Sequence, residues 1–250
     1  MNTRAPTVIL LPGLDGTGVL FEPFIKALGP EIRTLVVRYS RQAARTDEYM
    51  ACEDIARAAL PAEEPYVLLG ESFSGPIALS IAASSPPGLI GVVLVASFAV
   101  NPRPELAWLK PLIRALPTHH APGWVSRALL TDPFTTPSLT RLLDSALPMV
   151  TPEAMKARLR AILSIDARAQ VSHIRVPILY LRGSSDRLVR AGASQLIAQL
   201  ASHTQVVDCA APHCLLQCAP AAAAEAVRKF FETLNTEPAK SGSASGRYRT

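Results

Sequence analysis

Six short apolar runs stand out along the chain: TVILL (7–11), TLVV (34–37), YVLLG (66–70), GVVLVAS (91–97), PILYLRG (177–183) and TQVVD (204–208). They are nearly continuous rather than alternating, the pattern of parallel strands buried on both faces of a sheet. Between most of them the period lengthens. Phe21, Phe24, Ile25 and Leu28 recur at helical spacing, as do Ile55, Ala59 and Leu60, then Ile77, Ile81 and Ala82, then Leu196, Ile197 and Leu200, and finally Val227, Phe230, Phe231 and Leu234. The predicted order is β-α-β-α-β-α-β, an interruption, then β-α-β-α. That is an α/β protein with a mainly parallel six-stranded sheet flanked by helices.

The interruption covers residues 101–172. Leu106, Leu109, Leu112, Ile113 and Leu116, then Leu139, Leu142 and Leu143, then Leu159, Ile162 and Leu163 sit at helical spacings between closely placed prolines. Three or four short helices are expected. An insertion of roughly 70 residues far exceeds the ~2 to 6 residue loops usual in α/β units, so either the inserted helical cap has a function or the strand assignment fails there. The core then comprises 1–100 and 173–234, and the small polar stretch 235–250 reads as a disordered tail.

Composition narrows the classes of function. A chain of 250 residues with 49% hydrophobic content can bury one sizeable core. The longest apolar run, LIGVVLVASFAV, falls short of the ~18 residues that span a bilayer, so no membrane span is expected. The N-terminal segment lacks the ~7 to 15 residue apolar core of a secretory signal, and a cytoplasmic location is the expectation. The formal charge of +5 is scattered and owes part to Lys240, Arg247 and Arg249 near the C-terminus, which gives no case for a nucleic-acid partner. Three of the four cysteines fall in DCAAPHCLLQC, residues 208–218, and read as thiols rather than as a disulfide scaffold.

Two glycine-containing turns carry candidate chemistry. In YVLLGESFSGPIALSIAA a buried strand passes directly into a helix through Gly70-Glu71-Ser72-Phe73-Ser74-Gly75. A serine nucleophile needs such a sharp turn, with small residues two before and two after it, and Gly70 and Ser74 flank Ser72 in that way. Pro76 suits the first helical turn, where its missing N–H has no helical partner. The plainer alternative is a Gly/Ser turn that caps a helix. In ILLPGLDGTG (9–18) the glycines fail a dinucleotide fingerprint, because Phe21 stands where the third glycine belongs, and no Lys-Ser/Thr pair makes a phosphate loop. Arg38 and Arg41 keep a nicotinamide enzyme as a minor alternative. The remaining use is an oxyanion hole, with the backbone N–H of Leu14 converging on that of Phe73.

Together these motifs resemble a serine hydrolase of the α/β-hydrolase superfamily, over about residues 7–234. The resemblance implies an acid after the strand that follows the cap, where Asp186 stands, and a base after the last strand, where His213 stands. Asp186 would accept the Nδ1–H of His213, and His213 would take the proton of Ser72. The chain departs from the family pattern at Pro12-Gly13, which replaces a frequent His-Gly, and at Ser74, which replaces the second glycine of G-x-S-x-G. The pattern also gives no sign of the two N-terminal antiparallel strands of the family.

Cys209-x3-His213 and Cys214-x3-Cys218 lack the paired C-x2-4-C knuckles of a zinc site, and neither a metal nor a cofactor is expected. His119, His120 and His173 have no nucleophile pattern beside them. His203 and Asp208 form an H-x4-D match that falls on a strand. The expected function is a carboxylesterase acting on small or medium apolar esters through an acyl-enzyme. An acyltransferase or thioesterase and a non-catalytic binding protein stand as alternatives. Trp108, Leu109, Leu112, Trp124 and Phe134 are candidate pocket walls, with cap core as their other use.

Overall fold

The computed structural model describes residues 6–42, 47–115 and 128–236. Six strands alternate with helices: β1 (Thr7–Leu11), α1 (Glu22–Leu28), β2 (Thr34–Val36), α2 (Glu48–Ala58), β3 (Tyr66–Glu71), α3 (Gly75–Ala83) and β4 (Leu89–Val95) lead into the insertion. After it come β5 (Ile178–Gly183) and β6 (Thr204–Cys209). The strands form one sheet in the order β2-β1-β3-β4-β5-β6, and every pairing is parallel.

The continuous apolar runs follow from burial on both faces. Val8, Leu10, Val67, Leu69, Val93 and Leu179 join one core, and their alternates Ile9, Leu68, Val92, Leu94 and Ile178 join the other. The strand order reverses at β1: the chain leaves β1 toward β2 and leaves β3 toward β4. The loops after β1 and β3 therefore diverge and open a crevice at the C-terminal edge of the sheet, where α/β sheets bind ligands.

Within the insertion, 3-10 turns at Pro104–Leu109, Leu112–Ala115 and Leu147–Met149 accompany α4 (Pro137–Ala146), α5 (Pro152–Ile162) and α6 (Arg168–His173). The prolines that look like interruptions in the sequence are helix starts. Thr136 and Thr151 accept from the backbone N–H of Leu139 and Ala154, both at 3.2 Å, with Pro137 and Pro152 in the first helical turn. Leu139, Leu143 and Ala146 of α4 pack with Leu20, and α5 packs against α2. Helix α6 behaves differently. Val171 is buried in the core beside Ile77 and Ile197, and α6 packs on α3 and on α7 (Gly192–Leu200) as one of the helices that cover the sheet.

Arg41 is engaged with the insertion rather than free for a phosphate: its Nε donates to the Met149 carbonyl at 2.6 Å, and its own carbonyl accepts from the N–H of Thr151 at 3.1 Å. Among the described residues, no helix is long and apolar enough to cross a membrane. His119, His120, Trp124 and residues 237–250, which hold nearly all of the expected tail, lie outside the described residues. Residues 235 and 236 close the final helix, α9 (Pro220–Thr236), which follows the short α8 (Leu215–Cys218).

Candidate active site

At the end of β3 the chain turns through Ser72 with φ 47°, in the left-handed region that non-glycine residues seldom occupy. That conformation stands the side chain out of the turn. The turn is enforced by lack of room. A Cβ at Gly70 would meet the Ser74 carbonyl oxygen at 2.7 Å, and one at Gly75 would meet Ser97 Oγ at 1.7 Å. The position that must be glycine on the helix side is thus Gly75, one residue beyond the site the motif suggests. Ser97 Oγ also donates to the Ser72 carbonyl at 2.6 Å. On the core side the Phe73 ring stacks on Tyr49, with ring centroids 4.6 Å apart, and meets Tyr39 edge-on at 6.2 Å.

Ser74 is fully buried and has work of its own. Its hydroxyl donates to the Pro12 carbonyl, which leaves the Tyr39 hydroxyl, 2.7 Å away, to donate to Ser74 Oγ. The departure from glycine therefore joins the loop after β1 to the turn after β3. Burial raises the Tyr39 phenol far above its ordinary range, so it stays protonated as that donor requires.

Ser72, His213 and Asp186 come together from three separate loops. Ser72 Oγ lies 2.9 Å from His213 Nε2, and His213 Nδ1 lies 2.8 Å from Asp186 Oδ2. The second oxygen of Asp186 accepts from the N–H groups of Leu188 and Val189 at 2.8 and 2.9 Å, which fixes the carboxylate plane. Asp186, a carboxylate acceptor, takes the Nδ1–H, which in the neutral imidazole leaves Nε2 to accept from the Ser72 hydroxyl. The Asp186 side chain is 2% exposed and that of His213 9%, so the pair is shielded from bulk water.

Glu71, immediately before Ser72, is a buried carboxyl. Burial raises its pKa to about 7, offset in part by the Gln217 side-chain amide at 2.9 Å and the backbone amide of Gly13. Nothing in the local pattern marks it as buried, since its burial comes from α8 and the loop after β1.

Above these groups lies a cavity of about 430 Å³, a size typical of small-molecule sites. Gly13, Leu14, Glu71, Ser72 and His213 form one end, and the rest of its wall is overwhelmingly aliphatic. Leu112 is part of that wall. Trp108 is not: it is 67% exposed. Phe134 is half-buried outside the cavity, in a turn closed by its N–H on the Thr131 carbonyl at 2.7 Å. The Leu109 side chain and Trp124 fall outside the described residues. The wall is supplied instead by Leu20, Phe98, Leu143, Met155 and Leu159. The i, i+4 pair Met155/Leu159 was the available signal for the part of the wall that α5 supplies.

The cysteines of the 208–218 stretch divide by surroundings. Cys209 ends β6, while Cys214 lines the cavity, where burial first and then the neighbouring carboxylates push its thiol well above the ordinary range. Asp208 is held by Arg182 through both carboxylate oxygens, so the H-x4-D match belongs to a strand-to-strand ion pair.

The family described as serine aminopeptidase, S33, whose sequence model is that of an α/β-hydrolase, matches residues 40–216. The chain belongs to this family. The hydrolase is 28% identical over 223 residues to a putative carbamate hydrolase, RutD, of Yersinia enterocolitica, covering 80% of this chain and 77% of that one. It is 30% identical over 150 residues to phytyl ester synthase 1 of Arabidopsis thaliana, a match that takes in 58% of this chain but only 21% of that larger protein. In fold it is similar to a thermophilic esterase from Thermogutta terrifontis, with a TM-score of 0.77 at 18% identity, covering 92% of this chain and 91% of the other.

Proposed function

We propose that this hydrolase cleaves carboxylic esters with Ser72 as nucleophile, His213 as general base and acid, and Asp186 as the group that orients and stabilises the imidazole. The observation that carries the reading is the unbroken hydrogen-bonded line Asp186–His213–Ser72 opening into an apolar cavity. His213 Nε2 takes the Ser72 proton as Oγ attacks the ester carbonyl carbon. The negative charge that develops on the carbonyl oxygen is received by the N–H groups of Leu14 and Phe73. His213 returns its proton to the departing alcohol, leaving the acyl group on Ser72. Water, deprotonated by His213, then releases the acid.

The aliphatic wall favours a small or medium apolar acyl or alcohol group over a charged one. The described part of the insertion before α6 caps that group, with Leu112, Leu143, Met155 and Leu159 against it. No cofactor and no metal enters this chemistry. Acyl transfer to an alcohol is the second reading, supported by the likeness to the phytyl ester synthase and by the scarcity of polar groups in the cavity wall.

A series of chromogenic esters of increasing acyl length tests both readings. Hydrolysis that peaks at small or medium apolar esters and disappears in Ser72→Ala is the expected result. Product transferred to an added alcohol faster than to water would move the assignment to acyl transfer. Retention of turnover in Ser72→Ala would refute the triad.

A further inference from the structure

Helix α5 has two working faces. Met155, Leu159 and Ile162 line the cavity, whereas Arg158 turns inward and is fully buried. The guanidinium of Arg158 makes four hydrogen bonds. Nε donates to Glu48 Oε1 of α2 at 3.0 Å, Nη1 donates to the carbonyls of Leu14 and Asp15 at 3.1 and 3.0 Å, and Nη2 donates to the Ser40 carbonyl at 2.7 Å. Its Cζ lies 5.8 Å from the centre of the Tyr39 ring. The loop is shaped to admit this group: Gly16 has φ 69°, and a Cβ there would come within 2.5 Å of Nη1. A buried cation is tolerated only when its donors are met, and a guanidinium offers five donors in a fixed plane where an ammonium offers three on a single nitrogen.

The Leu14 carbonyl belongs to the residue whose N–H is assigned to the oxyanion hole. The Leu14 N–H lies in the preceding peptide plane, whose Gly13 carbonyl accepts from the N–H of Gly16 at 3.0 Å, and Gly16 lies against Arg158 Nη1; holding the carbonyls of Leu14 and Asp15 therefore holds the short turn that aims the N–H. One helix therefore touches the occupant of the cavity on one side and sets the oxyanion loop on the other. We propose that Arg158 is a positioning residue through which the cavity wall controls the oxyanion hole, so that an apolar group seated against Met155, Leu159 and Ile162 raises kcat as well as affinity. This inference rests on the ester-cleaving reading above. Its physical basis is that binding energy from a remote part of a substrate can be used to order the reacting centre.

The test compares wild type, Arg158→Lys and Glu48→Gln on the ester series, with folding checked by circular dichroism. In the wild type kcat rises with chain length until the cavity is full. In Arg158→Lys, kcat on the best ester falls about 100-fold with KM within about threefold, and its dependence on chain length is lost. Glu48→Gln leaves the three backbone carbonyls anchored, so its kcat stays within about threefold of wild type and still climbs with chain length. A wild-type kcat that is flat across the series overturns the coupling while leaving the ester reading intact, and absence of any wild-type turnover overturns both. A loss in Arg158→Lys confined to KM, or unchanged kcat there, also overturns it. Should Arg158→Lys fail to fold, Gly16→Ala decides, since its methyl would come within 2.5 Å of Arg158 Nη1: a fall in kcat with loss of its chain-length dependence supports the coupling, and wild-type chain-length dependence refutes it.

Discussion

Ser72 and Leu14 sit on neighbouring loops over the same crevice, yet their loops are shaped by different kinds of interaction. The turn at Ser72 is set mainly by its immediate neighbours: the positive φ of Ser72, the missing side chains of Gly70 and Gly75, and the direct entry from β3 into α3. The loop carrying Leu14 is held by residues far away in sequence, Ser74 on the Pro12 carbonyl and Arg158 on the carbonyls of Leu14 and Asp15. A short motif can encode the first arrangement. The second exists only once the fold has brought three segments together.

This contrast makes Gly75 the most sensitive point near Ser72. Gly75→Ala drives a methyl into Ser97 Oγ, so it should destabilise the protein by about 3 kcal/mol. It should also lower kcat by more than about 100-fold through displacement of Ser72, read by thermal unfolding and ester turnover. Ser74→Ala should be milder. It strips the Pro12 carbonyl and the Tyr39 hydroxyl of their shared partner, costing about 1 to 3 kcal/mol. A rate loss of about tenfold with little change in KM is expected if the loop after β1 shifts; equal effects from the two variants would dissolve the distinction between local and remote support.

That distinction also explains what could be read beforehand. The six strands were legible because their residues are buried on both faces, and Ser72 because the strand-to-helix turn is local. Asp186 and His213 were placed by the order of elements, since each follows a strand at the same edge of the sheet. Arg158 could not be found that way: on a helix of mixed composition, a single arginine carries no mark of the pocket of carbonyls that awaits it. The cavity wall suffered similarly. Trp108 turns outward, while Leu20 and Phe98 reach the cavity from loops that had no period to reveal them.

Glu71 gives a smaller and pH-dependent effect. Its folded pKa of about 7 lies above the ordinary 4.5, so the folded state holds its proton more tightly than the unfolded chain does. Stability from this group is therefore full below about pH 4.5 and declines as pH rises toward about 7. Glu71→Gln should raise Tm by a few degrees at pH 8 and hardly at all near pH 4, measured by calorimetry across that range. The smallest effect is expected at Cys214. With its thiol held well above the ordinary range, iodoacetamide at pH 7.5 should leave turnover essentially unchanged.

The central claim is that Ser72 is the nucleophile activated by His213. A fluorophosphonate probe followed by intact-protein mass spectrometry addresses it directly. The account predicts the mass of one probe added to the wild type, with the label mapped to Ser72, and no adduct on Ser72→Ala. An unlabelled wild type, or an adduct that survives in Ser72→Ala, would contradict it.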